Sequence, residues 1–248
     1  MKKYILECLD KYCDFNELSE QSYEYKIIDA LVAAGCFKHL DWTYDAGVTK
    51  CVLIFSGLDF VVKIPFRGCH DYEYERWNDE TQEYEELEEE TEKFYDFNLS
   101  GAGPEMAERY AEDHWDYCDI ELDRTHLAEE EDLLDCFAPV EFLGFAKEYP
   151  IYIQKRAVMF DSSEARTARS KKERSDEDFK WADEIRQEGF LYVDSEWTLD
   201  FLYYFGVEIY RKLDAFCERY GIEDLHMGNI GYIDGRPCLV DFSSYCGY

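Results

Sequence analysis

Gly221-Ile222-Glu223-Asp224-Leu225-His226-Met227-Gly228-Asn229-Ile230, followed by Leu239-Val240-Asp241-Phe242-Ser243, is the stretch whose reading decides the fold. Just upstream, Leu202, Phe205, Ile209, Leu213, Phe216 and Tyr220 recur at helical spacing. They predict one amphipathic helix over 195–220, capped by Ser195 and followed by Gly221. Just downstream, Asn229–Ile233 and Cys238–Phe242 flank Asp234-Gly235, a hairpin signature. A helix end, a loop and a hairpin thus present Asp224, His226 and Asn229 on one side and Asp241 on the other. Asn229 and Asp241 offer hard oxygen donors of the kind Mg2+ takes. Asp224 can accept a proton from an attacking hydroxyl. Metal, base and charge neutralisation are the parts that phosphoryl transfer needs.

Working upstream, Val140–Phe145 and Ile151–Gln154 read as strands around a turn at Lys147–Pro150. Val48–Phe55 and Phe60–Ile64 read as another pair, joined by Ser56-Gly57-Leu58-Asp59. Val61-Val62-Lys63-Ile64-Pro65 places a lysine among apolar strand residues, where a charge is costly unless it meets a partner. A helix is expected from about Tyr117 to Glu131, and it contains Glu121. Residues 1–36 are expected to be helical: Tyr4, Ile5, Cys8, Leu9 and Tyr12 share one face. A second helix over Glu17–Ala34 carries the stripe Ile27, Ile28, Leu31 and Val32.

The D-L-H-x-G-N loop followed by a hairpin and D-F resembles the catalytic loop and metal-binding motif of the protein-kinase-like superfamily. It is closest to the aminoglycoside and small-molecule kinase branches. The resemblance covers roughly residues 41–243, with the elements in order. It implies Asp224 as the catalytic base and Asn229 and Asp241 as the Mg2+ ligands. It implies Lys63 as the lysine that holds the ATP α and β phosphates, paired with a helix glutamate. Glu121 is the chosen partner and Glu112 its rival. Gln154-Lys155-Arg156-Ala157 would be the hinge at which backbone groups meet adenine. The implied fold class is α+β, with two lobes: an N-terminal lobe over 41–157 with an acidic insertion at about 67–115, and a reduced, mostly helical C-terminal lobe over 158–248. Residues 1–40 form a helical extension. The chain departs from the pattern at three places: Ile222-Glu223 precedes the loop aspartate, Ser243 stands where a glycine is usual, and Asp45-Ala46-Gly47-Val48-Thr49-Lys50 offers a single glycine for phosphate cradling. The sequence ends at Tyr248, so acceptor contacts are expected from residues 1–40, the acidic insertion or residues 161–195.

Composition bounds the rest. The chain has 248 residues, of which 17% are aromatic, and this argues against wholesale disorder. A net charge of −31 repels phosphate backbones and anionic lipid, so neither direct nucleic-acid binding nor membrane binding is expected. Residues 67–135 concentrate that charge, with 26 acids against 5 Lys plus Arg. Within them Glu85–Glu90 is close to low complexity, and the stretch is expected to be a solvated helix face or a mobile insertion. Leu99–Pro104 reads as a loop. Residues 161–176 are locally basic and read as a loop or exposed helix. The ten cysteines are scattered without a C-x-x-C pair, which speaks against zinc and for free thiols in a reducing cytoplasm. No apolar run long enough to span a bilayer and no leader-like N-terminus is present.

Two functions follow as expectations. One is an ATP- and Mg2+-dependent phosphotransferase acting on a hydroxyl of a protein or small molecule. The other is a pseudokinase-type acidic binding protein that blocks a basic partner, for example a nucleic-acid-binding protein.

Overall fold

In Lys50–Phe55 and Phe60–Pro65 the residues alternate between two different environments, and that alternation organises the molecule. The computed structural model describes residues 1–13, 23–47, 49–66, 68–78, 83–96, 116–147, 149–170 and 196–243. The backbone alone is described for 23–27, 68–78, 83–96, 167–170 and 196. The protein is α+β. Strands β1 (Trp42–Ala46), β2 (Lys50–Phe55), β3 (Phe60–Pro65), β6 (Val140–Ala146) and β7 (Tyr149–Lys155) form one antiparallel sheet in the order β1-β2-β3-β7-β6. Register pairs Lys50 with Pro65, Val52 with Lys63, and Lys63 with Tyr152. Because side chains alternate across a sheet, Lys50, Lys63, Tyr152 and Gln154 share one face.

The opposite face carries Cys51, Leu53, Phe55, Val62, Ile64, Ile151 and Ile153, all buried. It is covered by helix α1 (Lys2–Tyr12), through Ile5 and Leu9, and by helix α2 (Tyr23–Ala33), through Ile28 and Leu31. Phe37 follows α2 and stands edge-on to Phe55 at 5.1 Å and to Trp42 at 5.8 Å. At the β6 edge α1 comes close enough that a Cβ on Gly144 would lie 2.8 Å from Leu6 Cδ2. Lys2 pairs there with Glu141 at 3.0 Å, and the Lys147 amide donates to Asp10 at 2.9 Å. Residues 1–40, expected as an extension, therefore share a core with the sheet. Of the expected α1 face, Ile5, Cys8 and Leu9 are buried, whereas Tyr4 and Tyr12 are exposed.

The lysine-bearing face meets a second core. Helix α3 (Tyr117–Glu130) lies against it, close to its expected span. Asp116 caps its start by accepting from the Cys118 and Asp119 amides at 2.7 and 2.9 Å. Tyr152 Oη also donates to Asp116 at 3.2 Å, fastening that cap to β7. Helix α4 (Ser163–Ser170) falls inside the expected basic segment; Lys171, Lys172 and Arg174 lie outside the described residues. Helices α5 (Glu196–Phe205) and α6 (Val207–Arg219) follow. Phe137 packs edge-on to Phe242 at 5.0 Å and to Phe216 at 5.4 Å, at the centre of this core. The hairpin β9 (Ile230–Ile233) and β10 (Arg236–Leu239) joins the short β8 (Val158–Met159) in a three-stranded sheet, ordered β10-β9-β8. The Ala138 amide donates to Leu239 O at 2.8 Å, tying that sheet to the approach to β6.

Two expectations are corrected. The single helix over 195–220 is two, because Gly206 sits at φ 79, where the chain leaves the right-handed helix. Helical periodicity continues across the break, which is why the stripe did not reveal it; Ser195 lies outside the described residues. The acidic block is a paired ribbon over part of its length, β4 (Gly68–Asn78) with β5 (Glu83–Asp96), rather than a helix face. Its alternation of Tyr72, Tyr74 and acids has the period of a strand, and charge density masked that signal. The expected strand over Val48–Phe55 is described as β2 from Lys50, with Val48 outside the described residues. The second helix begins at Tyr23 in the described residues, with 17–22 outside them, as are Leu99–Pro104.

Leu9 is fully buried between α1 and the sheet. Leu9→Ala should lower the unfolding free energy by about 2–5 kcal/mol, read by chemical denaturation. A change within about 0.5 kcal/mol, the range of surface substitutions, would contradict a core shared with residues 1–40.

Candidate active site

Two strand lysines and one helix glutamate meet under the sheet. Lys63 Nζ donates to Glu121 Oε2 at 2.7 Å, and Lys50 Nζ donates to Glu121 Oε1 at 2.9 Å. The side chains of both lysines are 4% exposed and that of Glu121 is 0%. Lys50 also reaches Asp241 Oδ1 at 2.9 Å and Ser243 Oγ at 3.1 Å. Lys63 also donates to Val240 O at 3.0 Å. Gln154 Nε2, on the same sheet face, donates to that carbonyl at 2.9 Å. The cluster contains two cations and two carboxylates, so it carries no net charge. Charges this buried are tolerated only when paired and hydrogen-bonded.

Helix α3 positions the glutamate. Thr125 Oγ1 donates to Glu121 O at 2.8 Å and accepts from the Val140 amide at 3.2 Å. Arg124, buried on the same helix, donates to Phe242 O and Tyr220 O. The Phe242 amide donates to Glu121 Oε1 at 3.3 Å. The backbone on both sides of Asp241 is therefore fixed to β3 and α3, and Asp241 is held where β10 ends.

Electrostatics follow from those contacts. Burial alone would push the Asp241 carboxyl up, but Lys50 and then Lys63 outweigh it and hold the group well below the usual carboxylate range. Burial alone would pull Lys50 down, and the carboxylates of Asp241 and Glu121 outweigh that, holding its ammonium above the ordinary lysine range. Burial also raises the Cys13 thiol to about 12, and the eight cysteines whose side chains are described are free and buried.

The loop after α6 forms a second group. Asn229 Nδ2 donates to Asp224 O at 2.8 Å and to Asp224 Oδ2 at 3.4 Å. His226 Nδ1 accepts from the Gly228 amide at 3.0 Å, and its Nε2 lies 3.5 Å from Asp224 Oδ1. A Cβ on Gly228 would lie 2.7 Å from His226 Cε1, so the turn that forms this bond needs glycine there. Asp224 and His226 are exposed, and Asn229 is half-buried. The Val240 amide donates to Asn229 O at 2.9 Å, so the loop abuts the residue before Asp241.

Of the residues expected from sequence, Lys63, Glu121 and Asp241 belong to one bonded cluster. Asp224 and Asn229 belong to a neighbouring pair, joined to it through backbone. Glu112, the rival to Glu121, lies outside the described residues. Lys50 was missed as a site residue. It lay inside the expected strand Val48–Phe55, and period-two alternation from Val52, the partner of Lys63, puts it on the same face once that register is known.

Magnesium binds through one or two carboxylates and completes its shell with water and phosphate. The residues fit that limited demand. Asp241 is held ionised and its side chain is 40% exposed, and Asn229, whose Nδ2 donates to Asp224, has Oδ1 as its acceptor. Among the described residues no group of three or more His, Cys, Asp or Glu side chains could by itself hold a metal ion. No helix of the described residues is long and apolar enough to cross a membrane. Compared with family models, curated proteins and solved structures, the chain matches none.

The depressed Asp241 carboxyl contributes stability at pH values above about 4, the ordinary carboxylate value, and loses it as pH falls through its folded value. Asp241→Asn should therefore be less stable than wild type at pH 7, by a gap that holds down to about pH 4 and narrows below it. A gap independent of pH, in urea denaturation from pH 7 downward, would contradict the ion pair.

Proposed function

We propose that the protein is a phosphotransferase of kinase-like, two-lobed fold that uses ATP and Mg2+ to phosphorylate a hydroxyl of a protein or small molecule. The observation that carries this reading is the buried 2.7 Å pair between Lys63 on β3 and Glu121 on α3, formed beside the Asp241 carboxylate. A solitary buried lysine would be stabilised just as well by packing its stem and keeping its head in water. Here a strand ammonium, a helix carboxylate and a second carboxylate converge across three separate parts of the chain. The five-stranded sheet, the segment 154–157 that leaves it and the loop before β9 supply the order that the resemblance implies.

In this reading Lys63 holds the phosphates and Glu121 keeps its ammonium in place. Asp241 and Asn229 hold Mg2+, which when bound neutralises charge on the phosphoryl oxygens. Asp224, with an exposed carboxylate braced by Asn229, accepts the proton of the acceptor hydroxyl as its oxygen attacks the γ-phosphorus and the bond to the β–γ bridging oxygen breaks, releasing ADP. A net charge of −31 disfavours a highly anionic acceptor and favours a basic one.

The second reading is the acidic, pseudokinase-type binding protein. The 2.9 Å contact of Lys50 with Asp241 favours it, because that contact occupies the metal carboxylate. A thermal melt separates the two. Mg-ATP at a hundredfold excess over Kd should stabilise the wild type by about 2.7 kcal/mol. Lys63→Met should abolish that shift. Asp224→Ala should retain the shift and lose phosphate transfer, read with radiolabelled ATP. The absence of any shift at millimolar Mg-ATP would overturn the enzyme reading.

A further inference from the structure

Lys50 is the least expected residue of the site. Its ammonium has three protons, and three acceptors surround it: Glu121 Oε1, Asp241 Oδ1 and Ser243 Oγ. The other oxygen of Glu121 already receives Lys63. Glu121 alone cannot neutralise both lysines, so the charge of Lys50 is balanced through Asp241. Ser243 Oγ lies 3.1 Å from the same Asp241 oxygen, closing a small ring of Lys50, Asp241 and Ser243. A divalent cation reaching Asp241 would meet an already neutral cluster with an ammonium at ion-pair distance. It would also find Oδ1 engaged.

We propose that Lys50 is a resident counter-cation that competes with divalent metal for the carboxylate of Asp241. The proposal rests on reading Asp241 as a metal ligand. Metal entry and release of Lys50 from Oδ1 are then a single exchange. Phosphate brings negative charge that offsets the added cation, so the divalent ion enters with the nucleotide and not ahead of it. Lys50 thereby lowers the affinity of the nucleotide-free protein for metal. Lys63 cannot do this, since its bonds run to Glu121 and the Val240 carbonyl.

Mn2+ alone is the probe, titrated without nucleotide and followed through the paramagnetic signal of the free ion. Salt of about 0.1 M screens the acidic surface beyond about 10 Å. Lys50→Met removes the charge at similar length, and Glu121 keeps Lys63 as its partner. It should bind Mn2+ at least about tenfold more tightly than wild type, because repulsion between near cations in a buried site exceeds 1.4 kcal/mol. The double variant Lys50→Met with Asp241→Asn should lose the gain, which separates this site from diffuse binding to the acidic surface. If Lys50→Met does not fold, Lys50→Gln keeps a donor for Asp241 without the charge, and the same gain is expected. Equal or weaker Mn2+ binding in the folded variant, or a gain that survives Asp241→Asn, would overturn the proposal. Failure of wild type to respond to Mg-ATP, alongside tighter Mn2+ binding by Lys50→Met, would overturn phosphotransfer and leave the competition standing.

Discussion

The carboxylate of Glu121, fully buried between the ammonium groups of Lys50 and Lys63, is the interaction on which the rest of the site depends. Neither lysine could remain on the inner face of the sheet without it. Stripping the hydration from an ammonium costs several kcal/mol, and only a close, hydrogen-bonded counter-charge offsets that. Glu121 reaches them because α3 starts at a defined point, capped by Asp116, which Tyr152 of β7 also grips. A helix begun one residue later would turn the glutamate by about a quarter of a turn away from the strands.

From that carboxylate the constraint spreads outward along bonds. Arg124 and Thr125, one turn on, fasten α3 to the segment at Phe242, to the end of α6 and to the start of β6. Lys63 and Gln154 converge on Val240 O, which sets the backbone from which Asp241 projects. Asn229 O then receives the Val240 amide, and the loop bearing Asp224 takes its place beside the cluster. The apolar core on the far face, with Leu9, Leu31 and Phe55, makes the sheet rigid enough for its lysines to be held in register. Burial of this kind rigidifies a platform, while Asp224 stays exposed to solvent.

Much of this was legible in the sequence, and the reasons differ by residue. Lys63 stood out because a charge within Val-Val-Lys-Ile violates the apolar pattern of a buried strand. Glu121 could be chosen because its helix was bounded by the next strand pair. That one loop presents Asp224, His226 and Asn229 was legible because the segment between helix and hairpin is short, whereas the hydrogen bond from Asn229 to Asp224 was not read from sequence. Lys50 was hidden because, although it lay within the expected strand Val48–Phe55, only cross-strand register reveals that it shares a face with Lys63. The break at Gly206 was hidden because a left-handed glycine interrupts the backbone without altering the apolar stripe. The acidic ribbon was hidden because strand alternation was carried by tyrosines between glutamates, a pattern that charge counting reads as a solvated surface.

The most direct test of this account is a double-mutant cycle between Lys63→Met and Glu121→Gln, with unfolding free energies from urea denaturation at pH 7. Each single change leaves a buried charge short of its partner, and removing both restores partial balance. The pair should therefore show a coupling of roughly 1–3 kcal/mol, at the upper end for residues in contact. Additivity within about 0.5 kcal/mol, the behaviour of distant and independent sites, would contradict the claim that this ion pair holds the site together.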